Sequence, residues 1–561
     1  MPNSLNTRDE WLEVDGLGGF ASGTVCGLRT RRYHALLLTA VTPPTGRVVL
    51  VNGLDAWAET PGGTFPLSSQ WYLPDVIHPD GAWRIEAFDP EPWPHWRFAL
   101  GEGARIDQEL FIVQGSPLVV VCWRLAQPLE GVRLTVRPFL SGRDYHVLHR
   151  ENPTFRFEAK VQEGKVSWQP YADLPGVVAF SNGKYSHQPF WYRNFLYQEE
   201  RARGLDFTED LATPGTFRWD LSRGPAVWIV TVAGQSAGNI PVGLAPEEVY
   251  EQLRVAEQVR RQRFPTRLHR SADAYLVRRG EAKTIVAGYP WFTDWGRDTF
   301  ISLRGLCLAL GRLDRAREVL LTWASALSEG MIPNRFPDRG ETPEFNSVDA
   351  SLWFVVAVHD FFRTAAEQQQ EVAAGDREKL VATVEAILEG YSRGTRYGIR
   401  LGEDGLLQAG VPGVQLTWMD VKLNGRVISA RIGKPVEVEA LWLNALWTRR
   451  EVPRWADLFA RGAEAFRARF WYEAGGHLYD VIDCGHQAGV VDAAFRPNQI
   501  LAVGGLPVAF LEGERARRVV EAVEARLWTP LGLRSLAPGE PGYVPHYRGG
   551  VRQRDEAYHE G

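Results

Sequence analysis

Apolar positions follow two different rhythms along this chain. Up to about residue 245 they come in short runs, as at 47–52, 118–124, 132–138 and 226–232, rich in Val, Leu and aromatic residues. Turn-forming clusters separate the runs, among them Pro43-Pro44-Thr45-Gly46, Asp80-Gly81 and the stretch 170–176. Short apolar runs bounded by Pro, Gly and Asp are the pattern of half-buried strands. Residues 1–245 are therefore expected to form a large antiparallel β-sandwich.

Beyond that point the apolar residues recur every three to four positions, the period of a helix with one buried face. Residues 246–263 are charged and lack internal Gly and Pro, which predicts a connecting helix within a linker at 246–268. Helices are predicted at 299–310, 313–327, 348–364, 377–391, 436–449, 453–470, 498–511 and 514–527, with a short one near 272–279. Residues 348–362 are apolar on nearly every side, interrupted only by Asp349, Ser351, His359 and Asp360. A helix of that kind is buried all round. Amphipathic helices surrounding apolar ones would make residues 269–561 an (α/α)6 toroid. About nine or ten helices are predicted after residue 245, fewer than the twelve of a closed ring, so the toroid is expected to be incomplete at its C-terminal end.

Composition narrows the chemistry. At 561 residues the chain exceeds one ordinary core, so at least two domains are expected. A formal net charge of −5 gives no electrostatic case for nucleic acid or an anionic membrane. The four cysteines (Cys26, Cys122, Cys307, Cys484) form no CxxC pair, which predicts reduced thiols and a cytoplasmic location. The N-terminus lacks the apolar core of a signal peptide. The histidines show no metal-ligand spacing, and no metal or cofactor is expected.

Candidate chemistry gathers at or just before helix starts. Residues 291–300, Trp-Phe-Thr-Asp-Trp-Gly-Arg-Asp-Thr-Phe, crowd Trp295, Arg297 and Asp298 with further rings just ahead of a helix. Rings stack on the C–H faces of sugars and an Arg–Asp pair can grip hydroxyls, although Asp298 could equally cap the helix. Gln415-Leu416-Thr417-Trp418-Met419-Asp420 lies in a long non-helical stretch. Desolvation beside Trp418 would raise the Asp420 pKa toward that of a general acid, whereas a pair with Lys422 would lower it. Asn334 and Arg335 precede Asp349, which sits in the first turn of the apolar helix, where it either complements the helix dipole or faces a ligand. Glu437 and Glu439 open a further helix after Pro435, and Phe495-Arg496-Pro497-Asn498 repeats the arrangement. By contrast, Asp15-Gly16-Leu17-Gly18-Gly19 lacks the spacing of a phosphate loop and predicts a structural turn.

Taken in order, these motifs resemble the archaeal and bacterial type of glycogen debranching enzyme, the amylo-α-1,6-glucosidase family. Glu10-Trp11-Leu12, Gly16-Leu17-Gly18-Gly19-Phe20 and Thr30-Arg31-Arg32-Tyr33-His34 resemble its N-terminal sandwich. Trp295-Gly296-Arg297-Asp298-Thr299-Phe300, Thr417-Trp418-Met419-Asp420, Gly433-Lys434-Pro435-Val436-Glu437 and Phe495-Arg496-Pro497-Asn498 resemble its catalytic barrel. The resemblance implies an inverting, exo-acting α-glucosidase that removes α-1,6-linked glucose from glycogen, limit dextrins or branched malto-oligosaccharides. It places Asp420 as general acid and Arg297 and Asp298 on the terminal glucose, with Arg496 and Trp418 near the same subsite. Trp295, Asn334, Arg335, Asp349, Lys422, Glu437 and His559 complete the candidate substrate-binding set.

Inversion requires a second carboxylate about 6.5–9.5 Å from the acid to activate water. Family members continue past a Tyr-His-Gln-Gly motif, matched here by Tyr558-His559-Glu560-Gly561, and the resemblance places the base beyond it. This chain is accordingly expected to be truncated and nearly inactive, with Glu560 the one substitute base at hand. Two other readings remain: another exo-glycosidase of the same scaffold, such as a glucoamylase or trehalase, or a glycan-binding protein without turnover.

Overall fold

A computed structural model describes residues 6–101, 103–162, 164–234, 243–337 and 342–561. The first five residues of the N-terminal stretch, on which the signal-peptide reading partly rests, lie outside them. The chain divides into two compact units, Met1–Glu281 and Ala282–Gly561.

The first unit is built on two antiparallel sheets. Ten strands form one, in the order Glu10–Val14, Phe20–Thr24, Ala35–Thr42, Thr45–Thr60, Arg133–Asp144, Thr208–Asp220, Lys184–Leu196, Trp71–Tyr72 and Val76–Ile77, with Gly63–Pro66 paired to Thr45–Thr60. Eight form the other: Ala159–Gln162, Lys165–Trp168, Val177–Ser181, Ala226–Val232, Leu118–Leu125, Arg105–Ile112, His95–Ala99 and Ile85–Asp89. Side chains from both sheets share one core. Strand Leu118–Leu125 shows how an unbroken apolar run is used. Val119, Val121 and Trp123 point into the inter-sheet core, while Leu118, Val120 and Cys122 pack on the other face. There Val249 and Tyr250 of helix Pro246–Gln262 cover them. A period of two with both faces covered leaves no polar position free. Each large side chain so buried contributes roughly 1.5–3 kcal/mol.

The glycine-rich motif near the N-terminus is the turn between the first two strands. Asp15 Oδ1 accepts from the backbone N–H groups of Leu17 (2.7 Å) and Gly19 (2.9 Å). Gly18 has φ +101°, and a Cβ on Gly19 would lie 2.4 Å from Asp15 Oδ2. The glycines therefore make room for one buried carboxylate that closes the turn.

The second unit is mainly helical. Its α-helices among the described residues are Gly296–Leu303, Leu313–Ala324, Asp349–Glu367, Ala374–Arg393, Val436–Trp447, Pro453–Arg469, Gly513–Leu527 and Val551–Ala557. Helix Asp349–Glu367 is buried almost all round, and Val436–Trp447 is buried at every position through Leu446. Three expectations need correction. Residues 498–511 do not form an α-helix: a 3-10 turn, Pro497–Ala502, ends ahead of Gly504, Gly505 and Pro507. Near 272–279 the helix is Arg267–Ala274, and Leu276–Arg279 is a strand. The helix expected at 299–310 begins at Gly296 and widens into a π-turn at Arg304–Leu308.

Candidate active site

Two helix starts and one loop bring the candidate residues together in the second unit. Arg297, in the first turn of Gly296–Leu303, grips Asp349 with two parallel bonds, Nε to Oδ2 at 2.6 Å and Nη2 to Oδ1 at 2.9 Å. Asp349 opens helix Asp349–Glu367, and Ser347 Oγ donates to its Oδ1 at 2.6 Å. Burial works against the charge on Arg297, but Asp349, with Asp420 and Asp298 beyond it, raises its pKa overall. This Arg is a permanent cation in a fixed plane.

Loop residue Asp420 stands beside that cation. Arg297 Nη1 lies 3.6 Å from its Oδ2, and His559 Nε2 lies 3.8 Å from its Oδ1. Neither distance is a hydrogen bond, and the carboxylate keeps 31% of its side-chain surface exposed. A carboxylate at such distances from its neighbours and open to solvent keeps acceptor capacity for a ligand. Asp298, one residue after Arg297, lies exposed in the first turn of the same helix. Desolvation raises its pKa, with Asp349 and Asp420 adding to the shift against Arg297.

The loop is anchored on both sides of Asp420. The Leu416 carbonyl accepts from Val348 N–H at 2.9 Å, tying the loop to the entry of the apolar helix. Trp418 Nε1 donates to Asn498 Oδ1 at 2.8 Å, and its ring meets His559 edge-on at 5.0 Å between centroids. Lys422 Nζ donates to the Gly413 carbonyl at 3.0 Å, so the loop uses this cation on its own backbone rather than on Asp420.

Trp295, Asn334 and Arg335 form a second patch around the start of helix Gly296–Leu303. Gly296 N–H donates to the Asn334 carbonyl (2.7 Å), and the Arg335 guanidinium lies 5.1 Å from the Trp295 ring centroid while pairing with Glu344. Asn334 is buried, with Nδ2 on Asn346 and no hydrogen-bond partner for Oδ1 among the described residues.

Glu437 and Arg496 are enclosed in a charged cluster below the loop. Arg431 donates to both Glu437 oxygens, and to Asp480 through Nε (2.7 Å) and Nη2 (2.9 Å). Arg496 Nε is 3.9 Å from Asp480, and its Nη2 meets Glu560 Oε2 at 2.9 Å. Burial opposes the charge on Arg431, and the two carboxylates outweigh it. Glu560 Oε1 accepts from Ser429 Oγ at 2.6 Å, so both its oxygens are engaged and it braces Arg496. Glu439, next to this cluster, is fully buried; burial raises its pKa well above the carboxylate range, and Leu407 N–H donates to its Oε2.

Arg431 and Asp480 were not among the candidates read from the sequence. Each interrupts an apolar run, Ala430-Arg431-Ile432 and Tyr479-Asp480-Val481-Ile482. A charge inside such a run signals a buried partner, but the partner stands 49 residues away. Among the described residues, no cluster of His, Cys, Asp and Glu has the geometry of a metal site, and no helix is long and apolar enough to cross a membrane.

Two family models match successive parts of the chain. A family described as glycogen debranching enzyme N terminal matches residues 9–228, and amylo-alpha-1,6-glucosidase matches residues 270–561. A glycogen debranching enzyme of Saccharomyces cerevisiae is 43% identical over 83 residues, which are 14% of this chain and 5% of the yeast protein. The crystal structure of a bacterial glucoamylase complexed with acarbose superposes with a TM-score of 0.54 at 11% identity, covering 94% of this chain and 80% of that one. Since the two family matches follow one another in order and the second takes in more than half of the chain, this protein belongs to the amylo-alpha-1,6-glucosidase family of glycoside hydrolases.

Proposed function

We propose that the helical unit is an (α/α)6 barrel and that it hydrolyses α-1,6-linked glucose stubs on glycogen or a limit dextrin with inversion. The single observation that supports this most strongly is the setting of Asp420. It is about one-third open to solvent, close to the fixed Arg297 cation, and flanked by Trp418, His559 and Asp298. In this reading the glucose ring stacks near Trp418, and Arg297 and Asp298 bond its hydroxyls. Asp420 gives its proton to the glycosidic oxygen, and Arg297 stabilises the carboxylate that remains. A separate carboxylate activates water on the opposite face. Glu560 is a poor choice for that task because Ser429 and Arg496 occupy its oxygens.

The test is glucose release from a phosphorylase limit dextrin, followed by NMR of the anomer first formed. β-Glucose supports inversion, and α-glucose overturns it. A preference for maltose-type ends or for trehalose over α-1,6 stubs would move the substrate to a glucoamylase or trehalase type.

A further inference from the structure

Between the loop that carries Asp420 and the body of the helical unit runs a chain of polar contacts centred on Asp480. This residue lies between the short strands His477–Leu478 and Val481–Ile482, with only 1% of its side chain exposed. Its carboxylate receives three donors at bonding distance: Arg431 Nε and Nη2, and Asn498 Nδ2 at 2.8 Å. Its backbone carbonyl accepts from Val436 N–H at 2.9 Å, the first free N–H of the buried helix Val436–Trp447. Asn498 turns its amide nitrogen to Asp480 and its oxygen to the Trp418 indole N–H. An amide can satisfy both neighbours in one orientation only, because a carboxylate only accepts and an indole N–H only donates.

Polarity therefore passes in one direction, from Arg431 to Asp480 to Asn498 to Trp418, two residues before Asp420. The ion pairs Glu437–Arg431–Asp480 anchor the far end in the protein interior. We infer that Asp480 is a positioning residue for the candidate acid: through Asn498 it fixes the Trp418 ring, and with it the wall against which a terminal sugar would sit. This rests on the proposed function for its consequence, but not for its geometry. A purely stabilising ion cluster would need Arg431, Asp480 and Glu437 alone and would place no demand on Asn498.

The test combines a probe of Trp418 with a probe of the site. Protein labelled with 5-fluorotryptophan is compared by 19F NMR as wild type, Asp480→Asn and Asn498→Ala, with the Trp418 resonance assigned by its loss in Trp418→Phe. Asn498→Ala leaves every charge of the cluster in place, and so keeps the test valid should Asp480→Asn fail to fold. Affinity for the glucose-like iminosugar 1-deoxynojirimycin is then measured by calorimetry on each form.

The expected result is a displaced Trp418 resonance in both single variants and a loss of about 10–100-fold in affinity. The double variant should be no weaker than the weaker single one, because groups acting in series are not additive. An unmoved Trp418 resonance in Asn498→Ala, or fully additive losses, would overturn the inference. Should the wild type not bind the iminosugar at all, the proposed function fails, and the Trp418 resonance alone decides whether the relay exists.

Discussion

Asp15 and Asp420 are two carboxylates that follow short, distinctive motifs, and the molecule treats them in opposite ways. Asp15 is sealed in the β unit with both backbone donors of its turn at bonding distance. Asp420 stands in the helical unit with Arg297 Nη1 at 3.6 Å, His559 Nε2 at 3.8 Å and a third of its side chain open to solvent. A fully satisfied polar group holds a conformation in place, whereas an incompletely satisfied one retains the capacity to bond a ligand. The contrast lies in what surrounds each carboxylate rather than in its chemistry.

The sharpest way to break that contrast is Asp420→Asn. Activity on a limit dextrin should fall about 10²–10⁴-fold, while the unfolding midpoint stays at that of the wild type. A large loss of stability would instead place Asp420 with Asp15 among the structural carboxylates. Next in size, Arg297→Ala strands Asp349 as a buried charge without its cation. Destabilisation of about 3–5 kcal/mol is expected, read from urea unfolding monitored by circular dichroism.

A smaller effect is expected at Asp15. Burial raises its pKa to about 6, against the hydrogen bonds from Leu17 and Gly19. The folded state thus holds this proton more tightly than the unfolded chain does. The stabilisation it contributes is complete below pH of about 4 and is lost as pH rises through about 6. Asp15→Asn keeps the two acceptor bonds and removes the titration. Its stability relative to wild type should improve by up to about 3 kcal/mol between pH 4 and pH 8, measured by urea unfolding at both ends. A flat difference across that range would show that Asp15 does not titrate there. Smallest is Glu560→Gln, which retains the Ser429 bond and loses the ion pair with Arg496. A cost of about 1–2 kcal/mol and less than a tenfold change in turnover fit a brace. A loss of 10² or more would fit a general base.

Legibility in the sequence followed distance along the chain. Helix Asp349–Glu367 could be read within a few residues because its apolar content is continuous, and strand Ala226–Val232 because its turn signals bracket it. The Asp15 turn was readable because the side-chain bonds that close it, from Leu17 and Gly19 to Asp15 Oδ1, lie within five residues. Residues 498–511 misled because their apolar period outweighed Gly504, Gly505 and Pro507, which end the 3-10 turn. Arg297 and Asp349 were each visible as candidates, but their pairing across 52 residues was not. Glu437 and Arg496 stood out as substrate contacts, yet the fold encloses both in ion pairs with Arg431, Asp480 and Glu560.

By itself the sequence determined the two textures, the runs that become strands and helices, and the motifs that mark the family. Those are local properties, carried by period and by neighbouring residues. Tertiary structure alone decided which carboxylate is braced and which is left open. Ion pairs, desolvation and solvent access depend on groups far apart in the chain, and only folding brings Arg297 to Asp420 or places Asn498 between Asp480 and Trp418.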